Sequence, residues 1–346
     1  MLTVSLEATD MRHLKWLTLF ALMSVACKKA PISGGEEDSG APVSDADADS
    51  DTDADVDADA DADSDASMIG SLALGWEHSC ALDLSGNALC WGSNETGQSS
   101  VSPGPWLKAT AGSSHTCVLS PTGSVECWTS REGGVAVPPE GVFQDIASGK
   151  DHTCALNRDG AVECWGANNH NQSIPPAGVY AGVSAGAFHS CAMDSSGMTS
   201  CWGQENGDGR TASPGSSLVQ MDSGMSHNCG IDSAGTIFCW GSNDFGESTP
   251  PAGAFSHVAT GGQHSCALNA DGVVLCWGRN HRGQSDVPAG RYTSIAAGQF
   301  HTCGINLSSA VVCWGENAAG QASPPATGSG EVIDTGAAGA FDFGIE

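Results

Sequence analysis

Seven histidines stand 37 or 38 residues apart along the chain, at His78, His115, His152, His189, His227, His264 and His301, and each opens a His-x-Cys sequence. A second cysteine follows ten positions after the first in every copy, giving Cys80/Cys90, Cys117/Cys127, Cys154/Cys164, Cys191/Cys201, Cys229/Cys239, Cys266/Cys276 and Cys303/Cys313. Tryptophan follows each second cysteine, at Trp91, Trp128, Trp165, Trp202, Trp240, Trp277 and Trp314. Fourteen of the fifteen cysteines are used in this way, and Cys27 is left over. Such a chain is one small unit repeated, and a unit this short must pack against its own copies to bury a core.

The third copy shows what the unit is. Asn157-Arg158-Asp159-Gly160 is a tight-turn sequence in which Gly160 suits the left-handed position of a hairpin loop. Counting outward from it pairs Asn157 with Ala161, Leu156 with Val162 and Ala155 with Glu163, which sets Cys154 directly opposite Cys164, close enough to bridge. Upstream, the apolar spacing of Phe143/Ile146, Tyr180/Val183, Phe255/Val258 and Tyr292/Ile295 marks a first strand. Downstream, Gln172-Ser173-Ile174 reads as a short fourth strand before Pro175-Pro176-Ala177-Gly178 forces a turn. The expected fold is all-β: a seven-bladed β-propeller of 37-residue, four-stranded repeats, with one disulfide inside each blade. An open solenoid competes with it, and uniform units with hairpin chemistry inside each favour the closed ring. Thr129 replaces the glycine after Trp128, and Ser308-Ser309-Ala310 lacks the turn glycine, so those two blades are expected to be less regular.

The Gly-x-x-His-Ser/Thr-Cys-Ala-Leu, Gly-x-Val and Trp-Gly-x-Asn-x-x-Gly-Gln pieces, over residues 68–323, resemble the repeats of the regulator of chromosome condensation family. Their brevity and linkers such as Gly283-Gln284-Ser285-Asp286-Val287-Pro288-Ala289-Gly290 look more like its short-repeat bacterial branch, which includes a secreted β-lactamase-inhibiting propeller. The resemblance implies a propeller that binds other macromolecules; the partners of such proteins, small GTPases with chromatin or β-lactamases, differ too much for the fold to choose among them.

The first residues assign a compartment. Arg12, His13 and Lys15 precede the apolar run Trp16 to Ala26, which is too short to span a bilayer as a mature helix, so residues 1–26 read as a signal peptide whose true start is Met11. Ser24-Val25-Ala26-Cys27 resembles the lipobox of bacterial lipoproteins, which makes Cys27 the lipid anchor and the cell envelope, with the outer membrane favoured by Lys28, the location. Residues 27–67 follow as a disordered linker in which every odd position from Asp45 to Asp65 is aspartate, a comb of like charges that repels itself. The propeller is placed at 68–326 and a C-terminal tail at 327–346.

Function is sought in what the blades do not share, because a residue needed in all seven serves the scaffold. Chain direction puts the Gly-x-x-His loops and the Asn-x-x-Gly loops at one rim. Among their variable positions Trp76, Phe188, Met225, Phe300, His170, Phe245, His281 and Arg282 have the composition of a protein-binding surface. The opposite face offers mainly Pro, Ala, Gly and Ser. The repeated histidines are assigned structural hydrogen bonds, since oxidised cysteines cannot complete a metal site with them. No metal, cofactor or catalytic residue is assigned: no unrepeated cluster is evident at the central channel, and His170, His257 and His281 stand isolated. A net charge of −28 argues against nucleic acid as a partner. The reading is therefore a non-enzymatic envelope lipoprotein whose propeller binds a protein or a surface polymer and meets the membrane only through Cys27. The alternatives are a secreted enzyme inhibitor and a propeller lyase or hydrolase.

Overall fold

In a computed structural model, residues 69–130, 135 and 137–325 are described. The signal peptide, Cys27, the aspartate linker and the C-terminal tail lie outside the described residues.

Each repeat folds as predicted from its turn. In the third blade the strands are Phe143–Ser148, His152–Asn157 and Val162–Gly166, antiparallel in that order. Leu156 faces Val162, Ala155 faces Glu163 and Cys154 faces Cys164, and the Asn157 N–H donates to the Ala161 carbonyl at 2.9 Å. The same register recurs in all seven sheets. Cys80 is bridged to Cys90, Cys117 to Cys127, Cys154 to Cys164, Cys191 to Cys201, Cys229 to Cys239, Cys266 to Cys276 and Cys303 to Cys313, with Cα atoms 4.0–4.1 Å apart. In the chain-entropy model each such loop closure stabilises by about 3 kcal/mol.

The two halves of a bridge are not equivalent, a difference that the opposed register alone does not predict. Cys80, Cys117, Cys154, Cys191, Cys229, Cys266 and Cys303 are fully buried, whereas Cys90, Cys127, Cys164, Cys201, Cys239, Cys276 and Cys313 are only half-buried. The first cysteine of each pair lies on the middle strand, covered on both sides, and the second lies on the outer strand at the edge of its sheet.

The expectation of four strands per blade is corrected to three. Gln172-Ser173-Ile174 is a compact turn: the Ser173 N–H donates to Asn168 Oδ1 at 3.1 Å, the Ser173 hydroxyl to the Ala167 carbonyl at 2.9 Å, and the His170 N–H to Gln172 Oε1 at 2.8 Å. Side chains that satisfy the local backbone leave nothing for a fourth ladder. Gln98, Gln284 and Gln321 take the buried place of Gln172 in other repeats, and Arg210 and Glu247 take it in the fourth and fifth.

The irregularity expected from missing glycines appears in only one of the two blades. The second blade has four-residue strands, Lys108–Ala111, Thr116–Leu119 and Val125–Trp128. The seventh keeps Tyr292–Ala297, His301–Asn306 and Val311–Gly315, because Ser309 itself adopts the left-handed conformation, with φ of 62°.

The core lies between blades, not within them. Cys154, Leu156 and Val162 of the third blade pack with Tyr180, Val183, Ala192 and Trp202 of the fourth. Ala81 and Trp91 of the first pack with Cys303, Ile305 and Val311 of the seventh, so the last interface is built like the others and the ring is closed. The first strands surround a central cavity of about 310 Å³.

Candidate protein-binding rim

The rim owes its geometry to the glycine that precedes each histidine by three positions. A Cβ on Gly75 would stand 2.4 Å from both the Gly112 carbonyl oxygen and the His78 ring, and the equivalent glycines of the other blades are equally crowded. This close approach lets neighbouring loops bond to one another: Trp76 N–H to the Gly112 carbonyl at 3.2 Å, Ser113 N–H to that of Lys150 at 2.9 Å, Met225 N–H to that of Gly261 at 3.2 Å, and Gln299 N–H to that of Gly75 at 3.2 Å. In six of the seven blades the residue after this glycine thus borders the channel mouth, a space of about 70 Å³ lined by Trp76, Lys150 and Met225 among others. The next residue lies outside it.

That alternation divides the candidate residues into separate groups. Lys150 Nζ sits 4.9 Å from the centre of the Trp76 ring and 5.0 Å from that of Phe188, while His170 meets Phe188 edge-on at 5.5 Å. Four side chains from the first, third and fourth blades therefore form one cluster. Cation–aromatic contacts of this kind contribute roughly 0.5–2 kcal/mol. A second group pairs His281 edge-on with Phe300 at 5.3 Å, beside Arg282, whose Nε lies 2.9 Å from Glu316 Oε2. In a third, Arg279 lies over Phe245, 4.5 Å from its ring centre. Met225 borders the same mouth as Trp76 and Lys150. Phe188 and Phe300 are half-buried by their histidine partners, whereas Phe245, His281 and Arg282 are exposed. Lys150, one position after a rim glycine, is readable from the sequence as a variable rim position but was not among the residues assigned to binding.

The seven repeated histidines do the structural work expected of them. Each ring is buried, and its Nε2 reaches the residue after the histidine of the next blade: Thr116 from His78 at 2.8 Å, Ser190 from His152 at 2.8 Å and Asn228 Oδ1 from His189 at 2.7 Å. The hydroxyls of Thr116 and Ser190 donate to the Gln98 and Gln172 carbonyls at 2.8 and 3.0 Å. Each must therefore accept from the imidazole, which assigns the proton to Nε2. The Trp202 Nε1–H donates to the same Gln172 carbonyl at 2.9 Å, so tryptophan and hydroxyl converge on one backbone oxygen and the histidine is tied to it through the hydroxyl. Burial pushes the imidazoles down, His78 and His189 to about 4 and His152, His227, His264 and His301 to about 3.

Two expectations need correction. Unrepeated polar groups do converge on the channel: Lys108 Nζ bonds Asp145 Oδ1 at 2.5 Å, Asp222 Oδ2 accepts from the Thr260 N–H at 2.7 Å, and the His257 Nε2–H donates to the Ile295 carbonyl at 3.1 Å. The first joins side chains on the first strands of adjacent blades; the other two, and the bond from the Val183 N–H to Asp145 Oδ2 at 3.3 Å, satisfy backbone groups of a first-strand edge that lacks a ladder partner. Among the described residues, no group of three or more His, Cys, Asp or Glu is placed to hold a metal ion. The hairpin face, expected to offer mainly Pro, Ala, Gly and Ser, also displays Leu84, Leu107, Val142, Val179, Val219 and Leu307, with Val179 74% and Leu307 71% exposed.

The profile of the regulator of chromosome condensation (RCC1) repeat matches residues 71–98, 143–172, 218–247, 255–284 and 292–321. No curated protein matches the sequence. Among solved structures, the entire ectodomain of the Physcomitrella patens receptor kinase CR4 is similar at 25% identity with a TM-score of 0.63, over 72% of this chain and 73% of that one. The CRINKLY WD40 ectodomain of the Arabidopsis thaliana receptor kinase ACR4 is similar at 25% identity with a TM-score of 0.62, over 75% and 98%. Prp20p of Saccharomyces cerevisiae, at 17% identity and a TM-score of 0.57 over 67% and 80%, shares the fold.

Proposed function

Because the chain belongs to the regulator of chromosome condensation repeat family and the side chains its blades share are used to join one blade to the next, we propose that it acts through side chains its blades do not share: as a protein-binding module held in the bacterial cell envelope. Prp20p, related in fold, has binding properties toward Gsp1p and histones. The observation that carries the reading is the cluster of Trp76, Lys150, Phe188 and His170. It joins rigid aromatic area to one cation at the rim, the anatomy of a binding hot spot, and it leaves most of the ring uninvolved, which fits an asymmetric partner. Repeated groups of the ring spend their polar capacity on the next blade, and so do the channel side chains, which supports binding over catalysis.

The compartment follows from the signal-like segment and from Cys27, and the disulfide in every blade suits an oxidising location. The test is capture from envelope extract with the native protein and with Trp76→Ala/Phe188→Ala. A partner held by the first and lost by the second supports the rim. Loss only on Val179→Asp, at the hairpin face, overturns it. If the captured partner is a single enzyme whose activity falls on binding, the module is an inhibitor.

A further inference from the structure

Most polar side chains of the channel are spent on the next blade, and between the fourth and fifth blades that pattern breaks. Lys108, Asp145, Gly182, Gln220 and His257 hold one equivalent place on their first strands, each opposite the residue four positions after the repeated histidine of its blade. Three of them cap the open edge of the strand beside them. The Gln220 amide donates to the Val258 carbonyl at 2.9 Å and accepts from the Val258 N–H at 3.0 Å, Asp145 Oδ2 accepts from the Val183 N–H at 3.3 Å, and the His257 Nε2–H donates to the Ile295 carbonyl at 3.1 Å. Gly182 has no side chain to give. A Cβ built on it meets no atom within 4 Å beyond its chain neighbours. Met221, which stands in the fifth blade where Val258 stands in the sixth, therefore receives no such cap, and the channel wall is open there.

A carboxylate stands beside the opening. Asp222 lines the cavity of about 310 Å³ together with Ser184, Ser223 and His257. Its place is alanine in four other blades, at Ala73, Ala147, Ala259 and Ala296, so blade packing does not call for an acid. Oδ2 accepts from the Thr260 N–H at 2.7 Å and the Thr260 hydroxyl at 3.0 Å. Oδ1 accepts from the Ser223 N–H at 3.0 Å, and the Ser184 hydroxyl stands off at 3.5 Å, the limit of a hydrogen bond, which leaves Oδ1 room for a closer donor. The Ser223 hydroxyl, on a residue only 8% exposed, has no hydrogen-bond partner among the described residues. Buried hydroxyls are nearly always paired. The charges nearby do not answer Asp222. Lys108 is bound to Asp145, Lys150 at the mouth lies 4.0 Å from Asp151 Oδ2, and burial holds the His257 imidazole below its usual range against the pull of Asp222. Among the described residues Asp222 has no ion-pair partner, and the channel keeps one uncompensated negative charge.

We propose that the opening at Gly182 holds a small organic cation, a protonated primary amine, whose N–H groups bond Asp222 Oδ1 and the Ser223 hydroxyl oxygen. The hydroxyl reaches its guest by turning among staggered positions about the Cα–Cβ bond. A compact ammonium fits the donor-poor, acceptor-rich wall, and the cavity is of the size that takes small molecules. This site is separate from the aromatic cluster of the rim and does not depend on it.

The test uses the full chain and saturation-transfer difference NMR, with ethylammonium chloride as the probe, ethanol as its neutral counterpart and potassium chloride as an inorganic cation. Saturable transfer to ethylammonium is expected, with none to ethanol and no displacement by an equal concentration of potassium. Asp222→Asn should raise the Kd for ethylammonium at least tenfold. Gly182→Gln should do the same by filling the opening, and because the new side chain can cap Met221 as Gln220 caps Val258, its thermal midpoint should not fall. That variant decides the matter if Asp222→Asn disturbs the fold, which peptide mapping of the seven disulfides checks. Phe188→Ala should leave the Kd unchanged, which keeps this site distinct from the rim. No saturable transfer to the native protein, equal transfer to ethanol, displacement by equimolar potassium, or native affinity in Gly182→Gln would each overturn the proposal.

Discussion

His301 Nε2 of the seventh blade lies 2.8 Å from the Ser79 hydroxyl of the first, which in turn donates to the Gln321 carbonyl at 2.9 Å. Side chains 222 positions apart are thereby made neighbours, and the joint is the same His–hydroxyl bond that links the other blades. Ser79→Ala leaves the buried Nε2–H of His301 without an acceptor, so it should cost about 2–3 kcal/mol. Ser308→Ala, in an exposed turn, should stay within about 0.5 kcal/mol. Denaturant unfolding with the disulfides intact measures both, and equal effects would show that this bond does not govern closure.

Acid should weaken the ring. An imidazole held at about 3 or 4 when folded and near 6.5 when unfolded binds its proton more readily in the unfolded chain. Stability is then fully present above about pH 6.5 and falls as the pH drops from there toward 4, by on the order of 1.4 kcal/mol per pH unit for each such histidine until its folded pKa is reached. His301→Gln should flatten this dependence by about one histidine's share. The thermal midpoint between pH 7.5 and 4.5 is the measurement, and a midpoint that rises on acidification would contradict the buried neutral imidazoles.

The repeat, the hairpin register and the disulfides were legible because they are local: Asn157 to Gly160 fixes the turn, and the turn fixes Cys154 opposite Cys164. Which rim residue borders the channel was not, because Trp76 and Phe188 differ by one position in equivalent loops of two blades and only the bonds between blades separate their directions. The missing fourth strand was misread because Gln172, Ser173 and Ile174 have strand-like neighbours in sequence, while the Ser173 N–H goes to the Asn168 side chain and the Ile174 N–H to the Asn171 carbonyl. The aliphatic hairpin face carried a usable signal: with Tyr180 assigned inward, alternation already sends Val179 outward. Closure between His301 and Ser79 needs the whole ring, which no single repeat encodes.

Ser309 is the left-handed residue of the one hairpin without a turn glycine. A side chain there costs roughly 1 kcal/mol relative to glycine. Ser309→Gly should therefore stabilise by about 0.5–1 kcal/mol, whereas Gly160→Ser, which imposes the same strain where φ is 83°, should destabilise by a similar amount. Unfolding midpoints of the two variants check the signs, and matching signs would refute the strain argument.

Cys27 lies outside the described residues, and its role as a lipid anchor is decided by fractionation. Cys27→Ser should move the protein from membranes to the soluble envelope fraction while all seven disulfides still form. Retention on membranes by the substituted protein would remove the lipid reading and leave the aliphatic hairpin face as the place to look for a membrane contact.

Binding energy should be concentrated at the rim cluster. Phe188 contacts both Lys150 and His170 and occupies no repeated core position, so Phe188→Ala removes ring area at the centre of the cluster without opening a gap between blades. It should weaken binding of the envelope partner by about 2 kcal/mol or more, and Phe300→Ala, which leaves His281 unpacked, should act likewise if the partner spans both groups. Lys150→Met keeps much of the stem and deletes the cation between Trp76 and Phe188, so a smaller loss of about 0.5–2 kcal/mol is expected. Ala177→Glu and Ala289→Glu, exposed in linkers that lead to the hairpin face, should change affinity by less than about 0.5 kcal/mol. Titration calorimetry on the five proteins measures the set, with the disulfide map as a check on folding. Silent aromatic truncations beside large losses at Ala177 and Ala289 would place the partner on the hairpin side of the ring.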